Sequence, residues 1–171
     1  MVQGALLIDG SSNLIYKGTS GQPIQLSSAA GIAPFIPLKE SFPIVAGDQD
    51  CPINAWLSVG TRSFDPSAIF DSQTHLTRTI SFKAWVSCTT GVTGSIRLYN
   101  LTDGSAVTST TLPSSSNTPE PLSATLTVGG NLPNANKLYE VQLQITTPAT
   151  AGQDDRITCK AAEIEVGWAV T

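Results

Sequence analysis

Side chains that could act as nucleophiles or general bases are scattered along this chain and form no catalytic pattern. His75 is its single histidine, and Cys51, Cys88 and Cys159 follow no regular spacing. Hydrolysis needs a nucleophile beside a base, or two opposed carboxylates, and no GxSxG, HExxH or P-loop sequence occurs. A zinc site needs about four nitrogen or sulfur ligands. We therefore predict no enzyme activity, no zinc, and three reduced, mostly buried thiols.

Acidic residues occur in close pairs that could serve a metal ion or an ion pair. The pairs are Asp48 with Asp50, Asp154 with Asp155, and Glu163 with Glu165. The first two pairs fall in predicted loops, where carboxylates and carbonyl oxygens can contribute to a calcium site. Ordinary polar loops at the ends of a sandwich are the alternative, and we predict no metal and no cofactor. The third pair shares one face of a strand, where it should meet Lys or Arg on a neighbouring strand.

Tryptophans are the candidates for contact with a ligand or a partner protein. Trp56 and Trp85 are out of phase with the apolar residues around them, so both should point away from the predicted core. Two such side chains could form a stacking platform for sugar rings or a protein-contact surface. Alternatively, the N-terminal residues or a neighbouring subunit cover them. Trp168 is in phase with Ile164 and Val166 and should lie in the core.

The elements that position these residues are β-strands, because apolar residues alternate with a period of two from residue 53 onward. The clearest apolar phases are Ile80, Phe82, Ala84, Val86 and Cys88; Leu122, Ala124, Leu126 and Val128; and Tyr139, Val141, Leu143 and Ile145. Gly, Pro and Asn turns separate the strands, and the connections among the hairpins are long. This pattern predicts an all-β, antiparallel β-sandwich of the jelly-roll type with an extended N-terminal arm.

Three local features refine this prediction. Asp103-Gly104 predicts a hairpin with a type I′ turn, which needs positive φ at both central residues. The apolar phase switches at Ala161-Ala162, which predicts a β-bulge there. Between Asp65 and His75, a capping Asp followed by Pro allows one short helical turn at most.

The first 50 residues differ from the rest and are predicted to form an arm, followed by a jelly-roll domain at 51–171. Residues 5–8 and 13–16 predict a small hairpin around a polar turn. The arm carries more apolar side chains than a solvated linker would, so it should pack against a partner or, alternatively, cover its own domain. The predicted interface residues are Leu6, Leu7, Ile8, Ile15, Tyr16, Ile32, Phe35, Ile36, Trp56 and Trp85.

Composition excludes several classes of protein. Charged residues make up 13% of the chain and hydrophobic residues 40%, whereas disorder needs low hydrophobicity and high net charge. The net charge is −4 without a Lys/Arg cluster, which argues against nucleic acid as a partner. No apolar run is long enough to span a membrane. The start of the sequence does not read as a secretory signal, so we interpret the sequon Asn100-Leu101-Thr102 as chance.

Three segments resemble strands of jelly-roll domains in bacteriophage virion proteins. They are ISFKAWVS at residues 80–87, GSIRLYNLTDGSAV at 94–107 and LYEVQL at 138–143. The resemblance covers about residues 78 to 170, and bacterial surface and carbohydrate-binding jelly rolls use similar strands. It implies a virion structural role, such as a capsid decoration (cement) protein, a head fibre or a tail accessory protein, and it implies no catalytic residues.

These observations favour a non-enzymatic virion protein that decorates or stabilises a phage capsid, or attaches to the tail. It would lie on the capsid exterior or tail as a homo-oligomer, with a trimer favoured, and its arm would contact the major capsid protein or other virion proteins. The alternative is a carbohydrate-binding jelly-roll module of a surface or tail protein. Neither nucleic acid nor membrane is an expected partner.

Overall fold

The computed structural model of this protein contains two compact units, residues 1–37 and 38–171. It describes the backbone of residues 5–8, 14–17, 23–25, 38–69, 76–149 and 154–170, and the side chains of 39–69, 77–149 and 154–169. All helix or strand structure in these residues is β-strand, which confirms the predicted all-β class. Over the same stretches, the structure shows no helix that could cross a bilayer.

The first unit contains a three-stranded antiparallel sheet in the order β1-β2-β3. Its strands are β1 (Ala5–Ile8), β2 (Leu14–Lys17) and β3 (Pro23–Gln25). Strands β1 and β2 form the predicted hairpin. A third strand fits the general rule that a two-stranded hairpin is marginal alone in water. That this unit acts as an arm on a partner stays a prediction.

The second unit is a sandwich of two antiparallel sheets. Its strands are β4 (Leu38–Cys51), β5 (Leu57–Phe64), β6 (Leu76–Cys88), β7 (Thr93–Asn100), β8 (Ser105–Ala106), β9 (Leu112–Ser114), β10 (Glu120–Leu126), β11 (Lys137–Thr147) and β12 (Ile157–Val170). The first sheet has the order β10-β6-β12-β4. The second has the order β5-β11-β7, and β7 also pairs with both β8 and β9.

The strand order is that of a jelly roll, as predicted. Because β8 and β9 pair with the same strand, they can be counted as one interrupted strand, which leaves eight strands in the sandwich. If these strands are numbered 1 to 8 along the chain, starting from β4, the first sheet has the order 1-8-3-6 and the second has the order 2-7-4-5. Most connections cross from one sheet to the other, so residues distant in sequence come together on each face.

The sandwich begins at Leu38, which corrects the predicted boundary at residue 51. Strand β4 pairs with β12 along its whole length. Val45 is buried, and Phe42 and Ile44 pack partly buried against the core, so these apolar residues serve the sandwich itself. The sequence pattern hid this strand because Pro43 and two register shifts break the period-two alternation.

The core lies between the two sheets and confirms the predicted apolar phases. Its fully buried members include Phe82, Ala84, Val86, Ile96, Leu98, Tyr139, Val141, Leu143, Ile157, Ile164 and Val166. Trp168 is buried there as predicted, at 5% exposure. The three cysteines are also buried and free, as predicted. Burial raises the pKa of the Cys159 thiol to about 12, which makes it a poor nucleophile at neutral pH.

Strand β12 contains the predicted bulge, one residue earlier than expected. Cys159 pairs with Val86, but Ala161 pairs with the adjacent Trp85, so Lys160 is the extra residue. The buried positions of β12 pass there from odd to even numbers. A single inserted residue thus keeps both halves of the strand facing the core.

The hairpin between β7 and β8 forms, but without the predicted type I′ turn. Asn100 pairs with Ser105 across a four-residue loop, in which Gly104 alone has positive φ, at 68°. The Asn100 side chain is 3% exposed and donates from Nδ2 to Asp103 Oδ2 at 2.8 Å. Asp103 N donates back to Asn100 Oδ1 at 3.1 Å, so the asparagine of the sequon closes this loop.

The loop after β5 contains the predicted aspartate cap but no helix among its described residues. Asp65 Oδ1 accepts from Ser67 N at 2.9 Å, and Asp65 O accepts from Ala68 N at 3.2 Å. These bonds make a single turn. His75 lies outside the described residues.

A buried threonine supports the sheet edge where the chain leaves it between β8 and β9. Thr110 is 0% exposed, and its hydroxyl donates to Val107 O at 2.7 Å. The same oxygen accepts from Leu98 N at 3.2 Å. The threonine hydroxyl thereby provides an acceptor for the Leu98 N–H, which lies opposite the gap between β8 and β9.

We expect Thr110→Val to lower the free energy of unfolding by about 1–3 kcal/mol, because it leaves the buried Leu98 N–H without an acceptor. Urea denaturation monitored by tryptophan fluorescence would measure the change. Thr108→Val is the matched control, since Thr108 is exposed in the same loop. Equal stabilities of the two variants would contradict this role of the hydroxyl.

Candidate functional site

Most of the predicted interface residues belong to the first unit. Leu6, Leu7, Ile8, Ile15 and Tyr16 lie on β1 and β2, which are described as backbone only. Ile32, Phe35 and Ile36 lie outside the described residues. Their role in an interface stays a prediction. Of the ten residues, Trp56 and Trp85 have described side chains.

The two tryptophans lie on opposite faces of the sandwich. Trp85 points outward from the first sheet, on the side opposite the buried residues of β6. Trp56 packs over the outer face of the second sheet, where its ring contacts Arg97 of β7. A sugar platform built from both rings, one option that the sequence left open, is therefore excluded. The role of each in an interface is a separate prediction.

Trp85 lies in an uncharged row that crosses the first sheet. It pairs with Pro121 on β10 and with Ala161 on β12, and Ala161 in turn pairs with Ala46 on β4. Directly paired residues project from the same side of a sheet, so these four side chains are neighbours on the outer face. Trp85 is 36% exposed. The row therefore presents apolar surface to the outside.

An ion-pair cluster adjoins this row and confirms, for Glu165, the prediction that the β12 glutamates meet a cation on a neighbouring strand. Lys83 Nζ donates to Glu165 Oε1 at 2.8 Å, and Lys39 Nζ lies 3.3 Å from the same oxygen. The hydrogen bond from Lys83, and more weakly that from Lys39, lowers the pKa of Glu165. Glu163 accepts from the hydroxyl of Ser41. Lys39, Lys83 and Glu165 are thus engaged with each other.

Of the four acidic residues predicted in loops, Asp48 and Asp50 lie on β4 instead, and Asp48, Asp50 and Asp154 contact cations of the protein itself. Arg156 donates from Nη1 to Asp50 Oδ2 at 3.2 Å, and its Nη2 contacts Asp154. Lys160, the bulge residue, pairs with Asp48. Within the part of the chain that the structure describes, no three His, Cys, Asp or Glu side chains are grouped to hold a metal ion.

The outer face of the second sheet carries a polar and aromatic cluster, of which the sequence predicted only Trp56 as a site residue. Its members are Trp56, Arg97, Tyr99, Glu140 and Gln142. Glu140 pairs with Tyr99, and Gln142 pairs with Arg97, so these four project from one face of β11 and β7. Glu140 and Gln142 are only 7% and 9% exposed, although their phase points them away from the core. Their neighbours across the strand pair are the longer side chains of Tyr99 and Arg97.

Hydrogen bonds and ring contacts hold the cluster together. Arg97 Nε donates to Gln142 Oε1 at 2.7 Å, and Gln142 Nε2 donates to Glu140 Oε1. The guanidinium carbon lies 3.9 Å from the centroid of the Trp56 ring and 5.2 Å from that of Tyr99. Burial lowers the pKa of Arg97, which nonetheless remains charged at neutral pH. An arginine is thus fixed between two aromatic rings.

A cavity of about 280 Å³ lies elsewhere, at the end of β10. Its lining residues are Arg78, Thr79, Ile80, Thr125, Leu126, Thr127 and Val128. Arg78 Nη1 donates to the carbonyls of Pro66 at 3.0 Å and Ile69 at 3.2 Å, so this cation serves the loop after β5. The lining includes no carboxylate, thiol or imidazole that could act as a base.

Comparison with known proteins finds no matching family model and no matching curated protein. Among solved structures, the T13 particle of infectious bursal disease virus (IBDV) has a TM-score of 0.47 and 10% identity, over 92% of this chain and 40% of that chain. The VP2 subviral particle of the same virus has a TM-score of 0.45 and 9% identity, over 97% of this chain and 37% of that chain. This chain thus spans well under half the length of those chains. At such low TM-scores and identities, the superpositions establish neither a shared fold nor a shared function.

We expect Glu165→Gln to destabilise the sandwich by about 0.5–1 kcal/mol at pH 7, because it removes the negative charge shared by two partly exposed ion pairs. The folded-state pKa of Glu165 is lowered, so its contribution is present above the unfolded pKa and is lost as pH falls through the folded value. Urea denaturation of both proteins should therefore show a difference at pH 7 that shrinks in acid. Glu40→Gln, an exposed carboxylate on β4, is the control. A difference that grows in acid would contradict the assignment.

Proposed function

We propose that this chain is a non-enzymatic structural protein of a virion, which decorates or stabilises a bacteriophage capsid or attaches to the tail. It associates as a homo-oligomer, with a trimer favoured, and its N-terminal residues contact the major capsid protein or another virion protein. The observation that carries the proposal is the exposed, uncharged row around Trp85 on a jelly-roll sheet. The resemblance of three of its strand segments to phage virion jelly rolls supports it.

Three of the four sheet edges carry a proline and are poorly suited to association, which favours the faces, whereas the β5 edge has no proline. Edge strands of a sandwich can add a strand from another chain unless something blocks the ladder. Pro43 lies in β4, Pro121 in β10 and Pro113 in β9, and each of these strands lies at a sheet edge. Proline has no N–H to donate, so it interrupts pairing with an added strand. Neighbouring subunits should therefore pack face to face.

The outer face of the first sheet suits close packing. Tryptophan is among the residues that contribute most to protein interfaces, because it buries a large area at low entropic cost. Trp85 is flanked in its row by proline and alanine, which present no charge to desolvate. The nearby Lys83 and Glu165 already neutralise each other, which reduces the penalty of covering them. A subunit or capsid protein can therefore cover this face at modest cost.

Replacing Trp85 by glutamate in the full-length chain should dissociate the homo-oligomer, because burial of an unpaired carboxylate opposes contact at that row. Size-exclusion chromatography with light scattering measures the molar mass. Thr147→Glu adds the same charge at an exposed site at the end of β11 and should leave the oligomer intact. An unchanged molar mass for the Trp85 variant would contradict the proposed face.

Deleting residues 1–37 should abolish co-sedimentation with particles of the parent virus while leaving the sandwich folded. The deletion must stop before Leu38, because β4 is part of the first sheet. Circular dichroism checks the fold, and sedimentation through a sucrose gradient checks attachment. Full attachment of the shortened chain would show that the N-terminal residues are not the contact.

A further inference from the structure

We propose that the Arg97 cluster on the outer face of the second sheet is a binding site for a neutral saccharide. The site is the set Trp56, Arg97, Tyr99, Glu140 and Gln142 defined above. This inference is separate from the virion role, since it concerns the opposite face of the sandwich from Trp85.

The guanidinium of Arg97 is held in one orientation with donors to spare. Its Nε is bonded to Gln142 and its plane is packed near Trp56. Among the described residues, the Nη groups of Arg97 have no hydrogen-bond acceptor. A half-buried arginine fixed in this way presents N–H groups at a constant position, and a ligand oxygen can accept from them without a further loss of side-chain freedom.

Gln142 and Glu140 act as positioning residues. They form a chain beneath the arginine, in which Glu140 accepts from Gln142 and Gln142 accepts from Arg97. Both are more than nine-tenths buried on a face that ordinarily meets solvent. Burying polar side chains at such depth costs desolvation free energy. An apolar pair would cover β11 without that cost, so stabilising the sheet does not by itself require Glu140 and Gln142.

The charge balance selects a neutral ligand. The Glu140 carboxylate lies close enough to Arg97 to stabilise its charged form, so the positive charge is offset within the site. An anion would meet both groups and gain little, whereas a sugar hydroxyl needs only a donor or an acceptor. The rings of Trp56 and Tyr99 are each partly exposed and provide apolar surface for the C–H face of a pyranose.

Exposed hydroxyls extend the site along the face. Ser58 and Thr61 of β5 pair with Gln142 and Glu140, so they project beside the cluster. Both are exposed. Together with the arginine, they offer donors and acceptors at a spacing set by the sheet, which suits the several hydroxyls of a saccharide.

The test is a glycan array probed with the full-length chain, followed by calorimetric titration of the oligosaccharide that binds best. The array should contain neutral oligosaccharides of glucose, galactose, mannose, rhamnose and N-acetylglucosamine, together with sialylated and uronic-acid counterparts. We expect binding to a neutral oligosaccharide. Binding to none of them, or to the acidic glycans alone, would overturn the proposal.

Variants then locate the site. Arg97→Lys keeps the positive charge but loses the planar donors, and Trp56→Ala removes the ring, so each should raise the dissociation constant about tenfold or more. Ser123→Ala changes an exposed residue on the outer face of the first sheet, where Ser123 pairs with Lys83, and should leave the dissociation constant unchanged. Thermal melts confirm that each variant is folded at the titration temperature. If both cluster variants bind as the parent does, the site lies elsewhere and the proposal fails. Molar mass by light scattering reports separately on the oligomer.

Discussion

The central position of β12 is the constraint on which the rest of the sandwich depends. This last strand fills the first sheet between β6 and β4, and without it neither neighbour would have a partner on that side. Its two halves face the core only because Lys160 is inserted between them. A strand without the bulge would turn either the Cys159 half or the Ile164 half toward solvent, since a one-residue slip reverses every side chain.

The register of β12 also arranges the outer face that we propose as a contact surface. Because Ala161 follows the bulge, it stands opposite Trp85 and completes the uncharged row. The same register places Glu165 within reach of both Lys83 and Lys39. One inserted residue thus determines both the apolar row and the ion pairs beside it. The second sheet has a different chemistry, with an arginine between aromatic rings over two buried polar side chains, so the two faces suit different partners.

Much of the fold was accessible from local sequence, and the failures have identifiable causes. Alternation located β6, β10, β11 and most of β12, because the pleat repeats every two residues. It missed β4, where a proline and register shifts disturb the repeat. It also predicted a type I′ turn after Asn100, whereas a four-residue loop forms in which Asn100 and Asp103 bond to each other. That loop is further tied to β11 by an ion pair between Asp103 and Lys137, a contact that turn residues alone do not encode.

In the strands that alternation located, the sequence by itself determined which side a residue faces: the core set, the buried thiols, and the outward direction of Trp85. Orientation within a strand is a local property, since the pleat alternates regardless of what pairs alongside.

Only the tertiary structure decided which outward residues are neighbours. Trp56 and Trp85 look equivalent in sequence, yet the jelly-roll connections place them on opposite faces. Likewise, nothing local shows that Glu140 and Gln142 become buried, because their neighbours on that face come from β7 and β5. Strand pairing joins segments far apart in the chain, and a period of two residues carries no information about that choice.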